Sequence, residues 1–183
     1  AEYLSDFLNT NMHNDGIHNR RPVLVLGIGN ILLRDEGIGV HVIKTMENAP
    51  LLGGQLPDYV ELLDGGTAGA DLLDPISDRQ KLIVIDAVDA EVESGTILRL
   101  LPQDLDTNTE LCISMHEFGL VETLTMAKHL NCVPQEVVII AVKPEDLNCG
   151  LRLSEKLERI VPKIIECVLD EIKNVKHLEP SKN

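Results

Sequence analysis

Asp35 and Glu36 follow the turn Gly27-Ile28-Gly29-Asn30, Asp64 opens Asp64-Gly65-Gly66-Thr67, and Asp86 closes the apolar run Leu82-Ile83-Val84-Ile85. His116 stands in Ser114-Met115-His116. Carboxylates with one imidazole make a mixed oxygen and nitrogen donor set. Two carboxylates neutralise a divalent cation, and an imidazole suits zinc, nickel, iron or copper better than magnesium or calcium. Three protein ligands leave coordination positions open for water or substrate, as reactive metal sites do. Each residue also has a plainer role open to it. An acid in the first turn of a helix complements the helix dipole by about 0.3–1 kcal/mol. Of the adjacent pair, Asp35 fits that capping role better, which leaves Glu36 for the site. Asp64 could equally bond the backbone of its own Gly-Gly turn. Asp86 ends a fully apolar strand, where an unpaired charge is costly, so it needs a partner or a cation. A lone His116 reads as a helix-cap residue unless Glu36 and Asp86 lie opposite it. His41 and His129 read as structural or exposed.

The segments between these residues read as alternating strands and helices. Apolar runs predict strands over 23–26, 59–63, 81–86, 95–101 and 136–142. Helical spacing predicts helices over 35–47, with Ile38, Val42 and Met46 on one face, and over 117–131 and 153–173, with a kink or break at Pro162. A short helix over 68–73 should stop before Pro75. The run 95–101 follows the third strand with no helix between, so it should pair antiparallel at an edge. This pattern predicts a single-domain α/β fold: a twisted, mostly parallel five-stranded sheet flanked by helices on both faces. The domain spans 22–175, with flexible extensions over 1–21 and 176–183. Sites in such sheets form in the crevice beyond the carboxyl ends of the strands, which is where Glu36, Asp64, Asp86 and His116 should converge.

Composition narrows the partners. The 183 residues carry a formal charge of −14. That acidity disfavours nucleic acid and anionic lipid, which are polyanions, and suits a cation or a basic partner. No apolar run approaches the roughly 20 residues of a membrane span, and no Cys-x-x-Cys pair suggests a zinc ribbon or redox site. Four unpaired cysteines point to a cytoplasmic protein. No Gly-x-Ser-x-Gly elbow, His-Glu-x-x-His motif or P-loop is present. The Gly27-x-Gly29 turn lacks the third glycine of a dinucleotide site, because position 32 is leucine.

Four blocks, LGIGNILLRDEGIGV (26–40), LLDGGTAG (62–69), IVIDAVD (83–89) and SMHEFGL (114–120), resemble the hydrogenase maturation endopeptidases. These proteases trim the C-terminal extension from the large-subunit precursor of NiFe hydrogenases. The resemblance implies a twisted, mostly parallel sheet between helices. It implies Glu36, Asp86 and His116 as metal-contacting residues, and Asp64 near the same cleft as a catalytic base or positioner. It also implies that the metal is nickel, delivered with the substrate rather than held permanently. The partner would be the large-subunit precursor, with oligomeric state left open. Two other readings stand beside it: a non-catalytic chaperone that binds nickel or the precursor, and a nucleotide-binding oxidoreductase built on the Gly27-x-Gly29 turn.

Overall fold

A computed structural model describes residues 20–48, 56–67, 69–106, 111–112 and 115–175. The extension over 1–19 and the tail over 176–183 lie outside the described residues. Arg20 and Arg21 are anchored: Arg20 pairs with Asp74 through a 2.6 Å contact, and Arg21 Nη1 donates to Val60 O at 2.8 Å. In chain order the elements are β1 (Val23–Ile28), α1 (Ile38–Asn48), β2 (Val60–Gly66), α2 (Leu73–Ile76), β3 (Lys81–Ala87) and β4 (Asp89–Ala90). Then come β5 (Ile97–Leu100), α3 (Pro102–Asp106), β6 (Leu111–Cys112), α4 (Met115–His129), β7 (Glu136–Val142) and α5 (Glu155–Lys173).

The main sheet has five strands in the order β2-β1-β3-β7-β5. The first four are parallel, and β5 pairs antiparallel with β7 at the edge, as predicted. Both faces are covered, which explains why the central strands read as unbroken apolar runs. Val23, Val25, Ile83, Ile85, Val138 and Ile140 pack against α1 and α5. The alternate residues Leu24, Leu26, Leu82, Val84 and Ile139 pack against Leu120 and Leu124 of α4 and Ile76 of α2. No described helix is long and apolar enough to cross a membrane.

Several boundaries differ from expectation for local reasons. The first helix starts at Ile38, because Arg34–Gly37 forms a 3-10 turn. The expected helix over 68–73 is a 3-10 turn, Ala70–Leu72, followed by α2, which contains Pro75. Proline is tolerated there because the first N–H groups of a helix have no intrahelical acceptor. Pro162 does not break α5, which runs unbroken from Glu155 to Lys173. That helix starts behind Ser154, whose side chain accepts from Leu157 N–H at 3.3 Å. The fourth helix starts at Met115, so His116 is in its first turn rather than before it. The two-residue ladder of β4 with β6 is too short to leave a period in the sequence.

At the amino ends of the strands lies a buried ion network. Lys81, 1% exposed, meets Glu171 at 2.8 Å and Glu136 at 3.0 Å, and Arg99 Nε reaches Glu171 at 2.5 Å. Burial acts to raise the Glu171 pKa. Hydrogen bonds and charge from Arg99 and Lys81 outweigh it and hold the carboxyl below its ordinary 4.5. A carboxyl with a depressed folded-state pKa stabilises the fold above its unfolded value, and the contribution disappears as pH falls through the folded value. Glu171→Gln should therefore cost roughly 3 kcal/mol at pH 7, the range for breaking a buried pair. Urea unfolding at pH 7 and pH 3 checks this: the gap between wild type and variant should shrink at pH 3.

Candidate active site

The site begins with two close backbone approaches at the first turn. A Cβ on Gly39 would stand 2.2 Å from Ile85 O and 2.4 Å from Ile28 O. The start of α1 therefore lies directly on the carboxyl ends of β1 and β3, with no room for a side chain between. Gly29 has φ +138°, and a Cβ there would stand 1.9 Å from Glu36 O. The 3-10 turn carrying Glu36 is thus folded over the end of β1, the strand next to β3 and its penultimate residue Asp86. In a dinucleotide site this space over the turn belongs to the pyrophosphate. Here the Glu36 carbonyl fills it, which argues against the oxidoreductase reading.

Register places the other acids on the same rim. Gly27 of β1 aligns with Asp64 of β2 on one side and with Ile85 of β3 on the other. Asp64 and Asp86 are therefore about two strand spacings apart, roughly 10 Å at ~4.8 Å each. Asp86 is 1% exposed, and its Oδ1 accepts from Ala87 N–H at 2.8 Å. Glu36 is half-buried at the lip. Asp64 does make the Asx-type bond expected of its turn, accepting from Gly66 N–H at 3.0 Å. Its other oxygen lies 3.5 Å from Lys44 Nζ, and the side chain is 39% exposed. It faces solvent at the rim, where both the turn-forming role and a role toward substrate are open to it.

His116 is the second residue of α4, and its side chain lies outside the described residues. The helix that carries it is nevertheless tied to this rim. Thr123 Oγ1 donates to Gly119 O at 2.6 Å and also approaches Gly69 O at 3.1 Å. A Cβ on Gly119 would stand 3.4 Å from Gly69 Cα. Position 116 is one helical turn ahead of this contact with the loop that follows Asp64-Gly65-Gly66. Among the described residues no group of three histidine, cysteine, aspartate or glutamate side chains is arranged to hold a metal. Two carboxylates, Glu36 and Asp86, are drawn to one rim, and the imidazole expected to join them is the undescribed one.

Asp35 departs from expectation. It is fully buried and caps no helix. Its Oδ2 accepts from the N–H groups of Glu145 and Asp146, both at 2.9 Å, and its Oδ1 from Ser154 N–H at 2.7 Å. The carboxylate thus clamps the loop before α5 to the turn that presents Glu36. Nothing local in the sequence signals this, because the partners are 110–119 residues downstream. The remaining polar residues are structural. Half-buried His41 has its pKa lowered, first by burial and next by the Lys44 charge, with Glu158 and Asp35 acting in the opposite sense. His129 is exposed, with Nδ1 2.7 Å from Thr125 O. Asp89 pairs with Lys143.

Known proteins resemble this chain in sequence and fold. A family model described as hydrogenase maturation protease matches residues 40–171. The hydrogenase 2 maturation protease of Escherichia coli is 36% identical over 148 residues, covering 80% of this chain and 88% of that protein. A putative hydrogenase maturation protease of Methanocaldococcus jannaschii is 34% identical, covering 84% of this chain and 98% of that one. Among solved structures, the hydrogenase maturating endopeptidase HybD from E. coli superposes with a TM-score of 0.73 at 38% identity. It covers 82% of this chain and 91% of its own.

Replacing Asp35 by alanine leaves three N–H groups, one buried and two part-buried, without their acceptor, at about 1–3 kcal/mol for the buried one and less for the others. Asp35→Ala should lower stability by about 3 kcal/mol or more. Amide hydrogen exchange should accelerate first at Glu145, Asp146 and Ser154, and unchanged protection there would refute the clamp.

Proposed function

The chain belongs to the hydrogenase maturation protease family, and from that premise we propose that it cuts the C-terminal extension from a nickel-loaded NiFe hydrogenase large-subunit precursor. A peptidase role in hydrogenase maturation follows from the family itself. The finer reading is supported by one observation: the start of α1, just after Glu36, lies against Ile85 O at the carboxyl end of β3, where Asp86 is buried. Two carboxylates match the charge of a divalent cation, and the imidazole of His116 would bias the set toward a transition metal such as nickel. In this reading the nickel is part of the substrate. Glu36, Asp86 and His116 complete its coordination, and the precursor is recognised as mature enough to cut.

Asp64 takes a different role. Its backbone is roughly 10 Å from that of Asp86 across β1, and its oxygens meet Gly66 N–H and Lys44. In this reading Asp64 positions or deprotonates the water that adds to the scissile carbonyl, whose amide nitrogen leaves with a proton. Lys44 Nζ lies 3.5 Å from one of its oxygens. The free thiols Cys132, Cys149 and Cys167 support a cytoplasmic setting.

Mass spectrometry of purified precursor tests this directly. Nickel-loaded precursor should lose its C-terminal segment on incubation, and nickel-free precursor should be cut far more slowly. Equal rates would refute nickel recognition, and an unchanged mass in both would favour a chaperone. Glu36→Ala, Asp86→Ala and His116→Ala should each reduce processing by at least about 100-fold while circular dichroism stays native. Asp64→Asn should lower kcat more than it raises KM.

A further inference from the structure

The same rim carries an apolar surface that the fold does not use. Leu151 and Leu32 are 65% and 59% exposed, the two most exposed large apolar side chains among the described residues. Leu147 is 50% and Ile31 36% exposed. Isolated exposed leucines need no explanation, but a cluster of them beside a site does. Backbone contacts make these four residues a cluster. Leu33 bridges to Gly150, Gly150 N–H donates to Leu32 O at 2.9 Å, and Arg34 N–H donates to Gly150 O at 2.9 Å. The bridge is parallel, so Leu32 stands opposite Cys149 and Leu151 opposite Arg34, which leaves Leu32 and Leu151 diagonal to each other on one side of it. Asp35 N–H donates to Asp146 O at 3.2 Å, which brings Leu147 to the same turn. A Cβ on Gly37 would stand 2.8 Å from Ile31 Cα, so Ile31 abuts the residue next to Glu36. The Asp35 clamp holds the loop, so these side chains are presented on ordered backbone and little ordering entropy is lost on binding.

We propose that Ile31, Leu32, Leu147 and Leu151 form the docking surface for the hydrogenase precursor, receiving an apolar segment flanked by basic side chains next to the bond that is cut. The occupant follows from continuity and charge. The surface runs directly into the Glu36 turn, so whatever reaches the site must pass over it. The chain carries 30 acidic against 16 basic side chains. A second copy of so acidic a chain would be repelled, whereas a base-flanked segment is attracted. The proposal rests on the protease reading, and the experiment separates the two.

The double variant Leu32→Ser/Leu151→Ser alters only exposed side chains, so its circular dichroism and Tm should match wild type. In cleavage of nickel-loaded precursor its KM should rise about tenfold or more, with kcat within about twofold, as expected when apolar anchors are removed from a docking patch. Leu151→Lys should weaken precursor binding more than Leu151→Glu, because the flank it meets is basic. This pair of single variants keeps the test open if the double variant is unstable. A wild-type KM in the double variant, with cleavage intact, overturns the docking surface and leaves the protease standing. Weakened binding in the variants, with no cleavage by any form, supports the surface and overturns the protease. Sedimentation supplies the last arm: a wild-type dimer lost in the double variant, with precursor binding unchanged, makes a second copy the occupant and overturns the proposal.

Discussion

A single buried carboxylate organises the functional end of this molecule. Asp35 accepts three N–H groups from the loop that leads into α5. A carboxylate buried this deeply is tolerable only because its lone pairs are met by donors, and charge-assisted bonds of this kind are about twice as strong as neutral ones. The bonds tie together segments that would otherwise be independent excursions from the sheet: the turn after β1 and the loop after β7. The orientation of Glu36, the start of α5 and the exposed leucines of the rim all follow from that junction. Its neighbour Glu36, one residue on, is left at the lip of the site. Two adjacent acids thus serve different ends, Asp35 anchoring the rim and Glu36 half-buried within it.

Close packing of backbone on backbone supplies the second half of the geometry. With glycine at 39, α1 comes down until it touches Ile28 O and Ile85 O, and with glycine at 29 the Glu36 carbonyl sits where a side chain would be. A glycine-rich turn after a first parallel strand ordinarily suggests phosphate binding. The same small residues here bring a turn of the protein itself into that space, with the Glu36 backbone carbonyl over Gly29. Glycine spacing alone does not distinguish these uses; the acids that follow it do.

Much of the scaffold was legible because its signals are local. The runs at 23–26, 81–86 and 136–142 are buried on both faces, and unbroken apolarity is what two-sided burial demands. The antiparallel edge strand followed from the missing crossover helix. The placement of Asp64 and Asp86 near the carboxyl ends of β2 and β3 was legible because each closes an apolar run. What escaped was non-local or marginal. Asp35 looked like a capping acid, since its partners lie more than a hundred residues away. The start of α1 was misplaced because a 3-10 turn and an α-helix share the same residue preferences. Pro162 reads as a breaker in isolation, yet the packing of Leu157, Val161, Ile164, Ile165 and Val168 keeps α5 continuous through it. In that helix tertiary burial outweighs the lost hydrogen bond.

The sheet also separates two kinds of charge by its direction. At the amino ends, Arg79 bonds Glu61 and the carbonyls of Arg21 and Pro75, while Lys81, Arg99, Glu136 and Glu171 form one connected network. Opposite charges there balance within the protein and serve the fold. At the carboxyl ends, acids gather from β2, β3 and the first turn, and the clamp at Asp35 uses neutral amides rather than cations as its donors. Amides satisfy a carboxylate's lone pairs without cancelling its charge. The charge of Asp35 itself is therefore kept while the backbone of the rim is locked. A fold that had clamped the same loop with arginine would have been equally rigid and would have lost the attraction for a cation or a basic segment. In this chain rigidity and electrostatic attraction are compatible because the donors that supply the first carry no charge to oppose the second.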